Sequence, residues 1–241
     1  MPQPKPITIN TQAGPLAGLL HLPARIPAPT IVCCHGMLSS KDSQKFAFIA
    51  QELAKVGVAA LRFDFSGCGE SQAELEKDLL SSRLRDLDAV LKYVTLQAWH
   101  IGIMGLMGSS LGGYLSLLTL ASRRHSIEAV VCWATPFDLS RIETGMETSA
   151  ELKSFFPPAF GLGFPKNLGE LPPVKGVLII HGEQDELVHW KDAVRIYQRV
   201  NEPKKILLVK DAEHRFLQPS CRKLALRATI EWFRERGLIL L

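Results

Sequence analysis

The segment 101–122 contains no charged residue in 22 positions. A stretch of that length could cross a bilayer as a single helix. Five glycines fall within it, however, and Ser109 and Ser110 stand at its centre, which suits two buried elements joined by a turn. The sequence therefore predicts a buried strand over 101–107, a buried helix over 111–121 and no membrane span.

Apolar runs of strand length alternate with helical patterns along the rest of the chain. The run 30–34 is almost wholly apolar, whereas Leu84, Leu87 and Leu91 repeat at helical spacing. This alternation predicts an α/β fold with a mostly parallel, eight-stranded sheet and helices on both faces. The short turn at Gly14 predicts that the first two strands pair antiparallel at one edge. The strands are expected at 5–10, 16–22, 30–34, 58–63, 101–107, 128–134, 175–180 and 204–210.

Composition and charge argue against a disordered chain, a disulfide-stabilised secreted domain and a nucleic-acid-binding protein. Apolar residues make up 46% of the 241 residues and charged residues 22%, as in ordinary globular domains. The net charge of +4 includes no block of like charges, so we predict no nucleic-acid partner. The five cysteines form no C-x-x-C pair, and the N-terminal residues lack the apolar core of a signal peptide. These features favour free thiols and a cytoplasmic location.

One stretch, 136–173, breaks the alternation of strands and helices. It holds six of the fifteen prolines and five of the eleven phenylalanines, and it is too long for an ordinary strand–helix connection. We predict a cap or lid inserted in a single domain that spans residues 1–241. A surface subdomain whose aromatic rings pack only against its own floor is the alternative. If the stretch is a cap, its predicted substrate contacts are Phe137, Phe155, Phe156, Phe160 and Phe164.

Residues 108–112 match the pattern G-x-S-x-G at the boundary between a predicted strand and a predicted helix. At such a boundary a sharp turn lifts the central serine clear of the sheet, and small neighbours let the backbone close up. A serine hydroxyl is a weak nucleophile near neutral pH and needs an adjacent base. Ser110 is therefore the predicted nucleophile, and Ser109 is interpreted as a turn residue.

Two later segments supply an acid and a base. Asp185 follows the seventh predicted strand and His214 follows the eighth, so both lie at the carboxyl ends of parallel strands, as Ser110 does. The chain order serine, acid, histidine is the order that this turn motif takes. We predict a catalytic triad of Ser110, Asp185 and His214, with Glu183 and Glu186 as alternatives for the acid.

The loop after the third strand lies at the same edge of the predicted sheet. Backbone N–H groups of Met37 in this loop and of Leu111, which follows the nucleophile, can point at a developing negative charge. The Leu111 amide also lies at a helix N-terminus, where the helix dipole favours an anion. We therefore predict an oxyanion hole formed by Met37 and Leu111, with His35 as a substrate contact.

These motifs resemble those of α/β-hydrolases over nearly the whole chain. The stretches 34–37 and 61–71, the latter reading LRFDFSGCGES, resemble the branch that holds serine aminopeptidase-like hydrolases and cinnamoyl or feruloyl esterases. The resemblance implies the α/β-hydrolase fold with a small cap between the sixth and seventh strands. It also implies structural rather than catalytic roles for Asp64 and Ser71.

The leading functional hypothesis is hydrolysis of small-molecule carboxylic esters, with acyl or aryl groups of small to medium size, through an acyl-enzyme on Ser110. No cofactor or metal is predicted, because the sequence has neither a metal-ligand cluster nor a phosphate-binding glycine loop. Homo-oligomer formation is left open. The alternatives are a small serine aminopeptidase or amidase and a non-catalytic binding protein of the same fold. For the former, Glu143, Glu147 and Glu151 are candidate contacts to a substrate amine, although a solvated helix face explains them more simply.

Overall fold

A computed structural model describes residues 3–75, 78–140, 161–163 and 165–239. The strands of its sheet are β1 (Lys5–Thr11), β2 (Gly14–His21), β3 (Ala28–Cys34), β4 (Ala59–Phe63), β5 (His100–Ser109), β6 (Ala129–Trp133), β7 (Val177–Gly182) and β8 (Lys204–Val209). Their spatial order is β1-β2-β4-β3-β5-β6-β7-β8. Strand β2 pairs antiparallel with β1 and β4, and the other neighbours pair in parallel. The predicted fold class and the antiparallel edge pair are confirmed.

Helices cover both faces of the sheet. Those in the described part of the chain are α1 (Gln44–Lys55), α2 (Leu79–Thr95), α3 (Leu111–Ser122), α4 (Lys191–Arg199) and α5 (Pro219–Glu235). On one face, α1 and α5 contribute Phe46 and Trp232 to one buried cluster. On the other face, α2, α3 and α4 contribute Leu87, Leu115 and Ile196 to a second cluster. The sheet is therefore the middle of three layers, as alternating strands and helices require.

The central strands are buried along their whole length. Every residue of β3, β4, β6 and β7 is buried, which explains their continuous apolar runs. The uncharged segment 101–122 forms most of β5 together with α3, as predicted, rather than one long helix. Among the described residues, no helix combines the length and apolarity that crossing a membrane requires.

The predicted cap is described only at its two ends. Leu139 donates its backbone N–H to the Lys166 carbonyl at 2.9 Å, and Leu168 donates to the Phe137 carbonyl at 3.0 Å. The chain therefore leaves the sheet after β6 and returns to it at one paired neck. The middle of the predicted cap lies outside the described residues, as do four predicted substrate contacts: Phe155, Phe156, Phe160 and Phe164.

Candidate active site

Ser110 occupies the predicted sharp turn between β5 and α3. Its φ of 54° and ψ of −123° lie where residues with a side chain are strained, and its backbone N–H donates to the Trp133 carbonyl at 2.8 Å. The turn closes because of glycine: a Cβ on Gly108 would lie 2.3 Å from the Gly112 carbonyl oxygen. A Cβ on Gly112 would lie 2.0 Å from the Cys34 carbonyl oxygen. The turn thus requires the small residues that the motif supplies.

Asp185 and His214 are in direct contact. His214 Nδ1 lies 2.9 and 3.0 Å from the two carboxylate oxygens of Asp185, whose side chain is fully buried. The same carboxylate accepts the backbone N–H groups of Leu187 and Val188. Burial acts to raise the pKa of Asp185, but the hydrogen bonds from His181 and His214 hold that pKa well below its usual range. The acid beside the histidine is therefore ionised.

The alternative acids occupy other positions. Glu186 accepts the backbone N–H of His214 at 3.2 Å, and Glu183 is exposed. The His181 ring is fully buried, and its Nε2 lies 2.8 Å from the Val188 carbonyl oxygen and 3.1 Å from Asp185. Asp185 is thus the carboxylate that the His214 ring contacts, and the buried His181 ring contacts the same carboxylate.

A strained, tightly bonded loop carries His214. Asp211 and Phe216 bracket it with positive φ values of 62° and 54°. The Glu213 carboxylate accepts the backbone N–H groups of Phe216 and Leu217. Because so many internal bonds fix its path, the loop presents the imidazole in one place.

The loop after β3 passes close to Ser110. A Cβ on Gly36 would lie 3.2 Å from Ser110 Cβ and 3.8 Å from Ser110 Oγ. The Gly36 carbonyl is held by His35 Nδ1 at 2.7 Å and by Arg83 Nη1 at 3.3 Å. In a planar trans peptide the next N–H, that of Met37, points the opposite way from this carbonyl. Within the described residues, the Met37 and Leu111 amides donate no hydrogen bond.

His35 and Phe137 do not take the positions expected of substrate contacts. The His35 side chain is 1% exposed and accepts the backbone N–H of Phe65 at 3.1 Å, and burial together with Arg83 lowers its pKa to about 3. Phe137 is 7% exposed, and the Arg195 guanidinium covers its ring at 4.0 Å. Both side chains face the interior. This orientation gives both ring nitrogens of His35 a hydrogen-bond partner and removes the Phe137 ring from water.

Asp64 and Ser71 join neighbouring loops, in line with the structural roles that the resemblance implies. The buried Asp64 carboxylate accepts the backbone N–H groups of Lys41 and Glu70, and the Ser71 hydroxyl donates to the Asp64 carbonyl. The carboxylates of Asp42, Asp64 and Glu70 cluster closely enough to suggest a metal site. The Lys41 ammonium lies 2.7–3.2 Å from all three, so it supplies the positive charge there.

Two residues near the site escaped the sequence analysis: Lys45 and Arg83. Lys45 Nζ donates to Ser109 Oγ at 2.7 Å across 64 positions of sequence, and Arg83 reaches Gly36 across 47. No local spacing marks such contacts, because tertiary packing alone brings the partners together.

A comparison with known families agrees with this geometry. The model of the family described as serine aminopeptidase, S33, matches residues 25–168. The chain belongs to this family. Family S33 lies within the α/β-hydrolase superfamily, which confirms the resemblance drawn from the motifs.

Individual relatives of this S33 chain are distant. Rat mitochondrial palmitoyl-protein thioesterase ABHD10 is 26% identical over 210 residues, which cover 78% of this chain and 69% of the relative. Est1E from Butyrivibrio proteoclasticus, solved with ferulic acid, superposes with a TM-score of 0.77 at 21% identity and covers 96% of this chain and 99% of its own. Mouse α/β hydrolase domain-containing protein 10 gives 0.75 at 23% identity, with the same coverage. The two structures support the fold, and the cytoplasmic location stays a prediction because the rat relative is mitochondrial.

Proposed function

We propose that this chain is a serine hydrolase that cleaves carboxylic esters, thioesters included, with acyl or aryl groups of small to medium size. The observation that carries the proposal is the buried, ionised Asp185 bonded to the His214 ring, at the same sheet edge as the strained Ser110 turn. The three side chain types, their chain order and their strand ends fit the serine–histidine–acid arrangement.

In the proposed reaction Ser110 Oγ attacks the acyl carbon while His214 Nε2 takes the hydroxyl proton. The contact with the Asp185 carboxylate requires that His214 Nδ1 carry a proton, which leaves Nε2 as the free base. His214 then gives its proton to the departing alcohol or thiol. Water attacks the acyl-enzyme with His214 again as base, and the acid and the free Ser110 hydroxyl are released.

No hydrogen bond joins Ser110 and His214 among the described residues, so this step belongs to the proposal. In unliganded enzymes such a bond is often long and shortens when the substrate binds.

The Met37 and Leu111 amides form the proposed oxyanion hole. Anchoring of the Gly36 carbonyl by His35 and Arg83 fixes the direction of the Met37 N–H before substrate arrives. The Leu111 N–H opens helix α3, so the helix dipole adds to its attraction for an anion. Donors fixed in advance need no reorganisation when the tetrahedral intermediate forms, which is the source of their catalytic effect.

The surroundings favour an apolar acyl group over a charged amine. Leu38, Leu187 and Leu217 are 42%, 59% and 60% exposed, and each lies within three residues of Met37, Asp185 or His214. Exposed leucines on three loops at this sheet edge offer apolar surface to a substrate. The named relatives include a palmitoyl-protein thioesterase and a protein solved with ferulic acid, both of which involve carboxylic acyl groups.

The test compares p-nitrophenyl acetate, p-nitrophenyl butyrate, a butyryl thioester and aminoacyl arylamides as substrates. We expect ester and thioester cleavage to exceed arylamide cleavage, and Ser110→Ala to lower kcat by about a thousandfold or more. A fluorophosphonate probe should label Ser110 in the wild type and nothing in this variant. Ser122→Ala, at the exposed far end of α3, is the matched control and should keep both activity and labelling. Faster arylamide cleavage would reassign the chain to the aminopeptidases, and absent labelling of folded protein would contradict the nucleophile.

A further inference from the structure

Lys45 links the start of α1 to the end of β5. Its ammonium donates to Ser109 Oγ at 2.7 Å, and the Ser109 side chain is only 3% exposed. Ser109 immediately precedes Ser110, so the bond acts on the backbone that sets the proposed nucleophile. A half-buried lysine that bonds a buried hydroxyl gives up hydration, which requires compensation from its surroundings.

The same ammonium contacts the loop that carries His214. Lys45 Nζ lies 6.0 Å from the centroid of the Phe216 ring, at the limit of a cation–π interaction. Phe216 is fully buried and packs at 5.0 Å against Trp133, which pairs with Ser109 in the sheet. One cation therefore bonds the strand end before Ser110 and lies within cation–π range of the loop after β8.

The charges around Lys45 come from three segments. Burial lowers the pKa of Lys45 to about 8, whereas Glu213 and Asp185 act to raise it and Arg215 and Arg222 act to lower it. The two carboxylates belong to the loops after β8 and β7, which are the loops that carry His214 and its acid. The lysine thus lies in the field of both loops.

We infer that Lys45 is a positioning residue, whose ammonium holds the His214 loop in register with Ser110 by bonding Ser109 on one side and attracting Phe216, Glu213 and Asp185 on the other. The inference rests on the proposed function. A neutral amine would keep at most the Ser109 bond, because attraction to the ring and to the carboxylates requires the charge. Loss of the charge should therefore loosen the geometry of the reacting groups while leaving the substrate surface intact.

The experiment measures kcat and KM for p-nitrophenyl butyrate between about pH 6 and pH 10, a range that brackets the lysine titration. Lys45→Met should lower kcat by about tenfold with little change in KM, since a small misplacement of reacting groups costs rate rather than affinity. The wild type should lose kcat as the pH rises through about 8, and Lys45→Met should lack this alkaline fall. Lys45→Arg keeps the charge at high pH, so its kcat should not fall there.

Two further variants separate this role from general stability. Ser109→Ala removes only the hydroxyl acceptor, so we expect a smaller loss of kcat with the alkaline fall retained. Lys55→Met removes the exposed lysine at the other end of α1, which bonds Glu52, and should match the wild type throughout.

The two proposals fail in different ways. Activity that depends on Ser110, together with equal kcat and equal pH profiles for the wild type and Lys45→Met, would overturn the positioning role alone. An alkaline fall that persists unchanged in Lys45→Met would also overturn it. Absence of any hydrolysis that depends on Ser110 would overturn both the proposed function and this inference.

Discussion

The buried Asp185 carboxylate accepts hydrogen bonds from two backbone N–H groups and contacts two imidazole rings. The amides of Leu187 and Val188 donate to Oδ1, while His181 Nε2 and His214 Nδ1 lie 3.1 and 2.9 Å from Oδ2. So many donors keep the carboxylate charged although it is shielded from water. A charged, immobile acceptor is what a catalytic histidine needs to hold one tautomer.

The lowered pKa of Asp185 predicts how stability responds to acid. A carboxyl whose pKa falls on folding stabilises the native state above its ordinary pKa of about 3.9, and the contribution is lost as the pH falls further. Asp185→Asn should therefore lower the Tm by several degrees at pH 7, about 2–4 °C for each kcal/mol lost, and by progressively less below about pH 4. Thermal unfolding of both proteins, followed by circular dichroism at pH 7 and below about pH 4, measures the two Tm differences. A Tm difference that is unchanged or larger in acid would contradict the assignment.

The positions of Ser110, Asp185 and His214 at one sheet edge were predictable because each follows a recognisable strand, and strand ends share an edge. Their catalytic roles stay a prediction. His35 also follows a strand at that edge, yet its ring turns inward to bond Phe65, 30 residues away. Lys45 carries no local signal at all. The direction in which a side chain points, and the group that it bonds, depend on tertiary packing. The spacing of residues in the sequence does not encode that packing.

The β5–α3 turn joins two elements so closely that two glycines are obligatory. Backbone atoms, rather than movable side chains, stand where a Cβ on Gly108 or Gly112 would fall. The boundary between β5 and α3 was predictable because only residues without a side chain fit the two glycine positions of the motif. The 136–173 stretch was recognisable only as a break in the pattern, because its sequence has no strand or helix period that could indicate its contacts.

Gly112→Ala should therefore damage the turn. Its new Cβ would meet the Cys34 carbonyl at 2.0 Å, so β3 and α3 must move apart. We expect a loss of about 2 kcal/mol or more, or a Tm lower by about 5 °C, together with loss of ester hydrolysis. Gly161→Ala is the matched control, since no atom of the described residues lies within 4 Å of its Cβ position, and it should leave Tm and kcat close to wild type. Normal stability and activity in Gly112→Ala would contradict the described closeness of the two elements.

Across the whole molecule all thiols are enclosed. The five cysteines are free and buried, and burial raises the pKa of Cys33 and Cys132 to about 12. Since the thiolate is the reactive form, the folded protein should react slowly with Ellman's reagent. Once the protein is unfolded in guanidinium, five thiols per chain should react. An intact mass that is the same with and without reductant is the accompanying control. Rapid reaction of the native protein, or fewer than five reactive thiols after unfolding without reductant, would contradict this arrangement.

The layered architecture was the most predictable level of all. All eight expected strands are present, because continuous apolar runs such as β3 and β7 can be buried on both faces only inside a covered sheet. The spatial order of the strands was beyond prediction, since runs of similar composition do not specify their neighbours. The single-domain organisation stays a prediction.

The order of the strands places a crevice between β3 and β5. Strands β3 and β5 are neighbours, but the chain leaves β3 toward α1 on one face and leaves β5 toward α3 on the other. A crevice must open where adjacent strands send their chains to opposite sides. The place where Gly36 approaches Ser110 is therefore set by the order of the strands and not by the segment that follows β6. If the predicted cap supplies substrate contacts, we expect changes in its sequence to alter substrate preference and to leave this crevice unchanged.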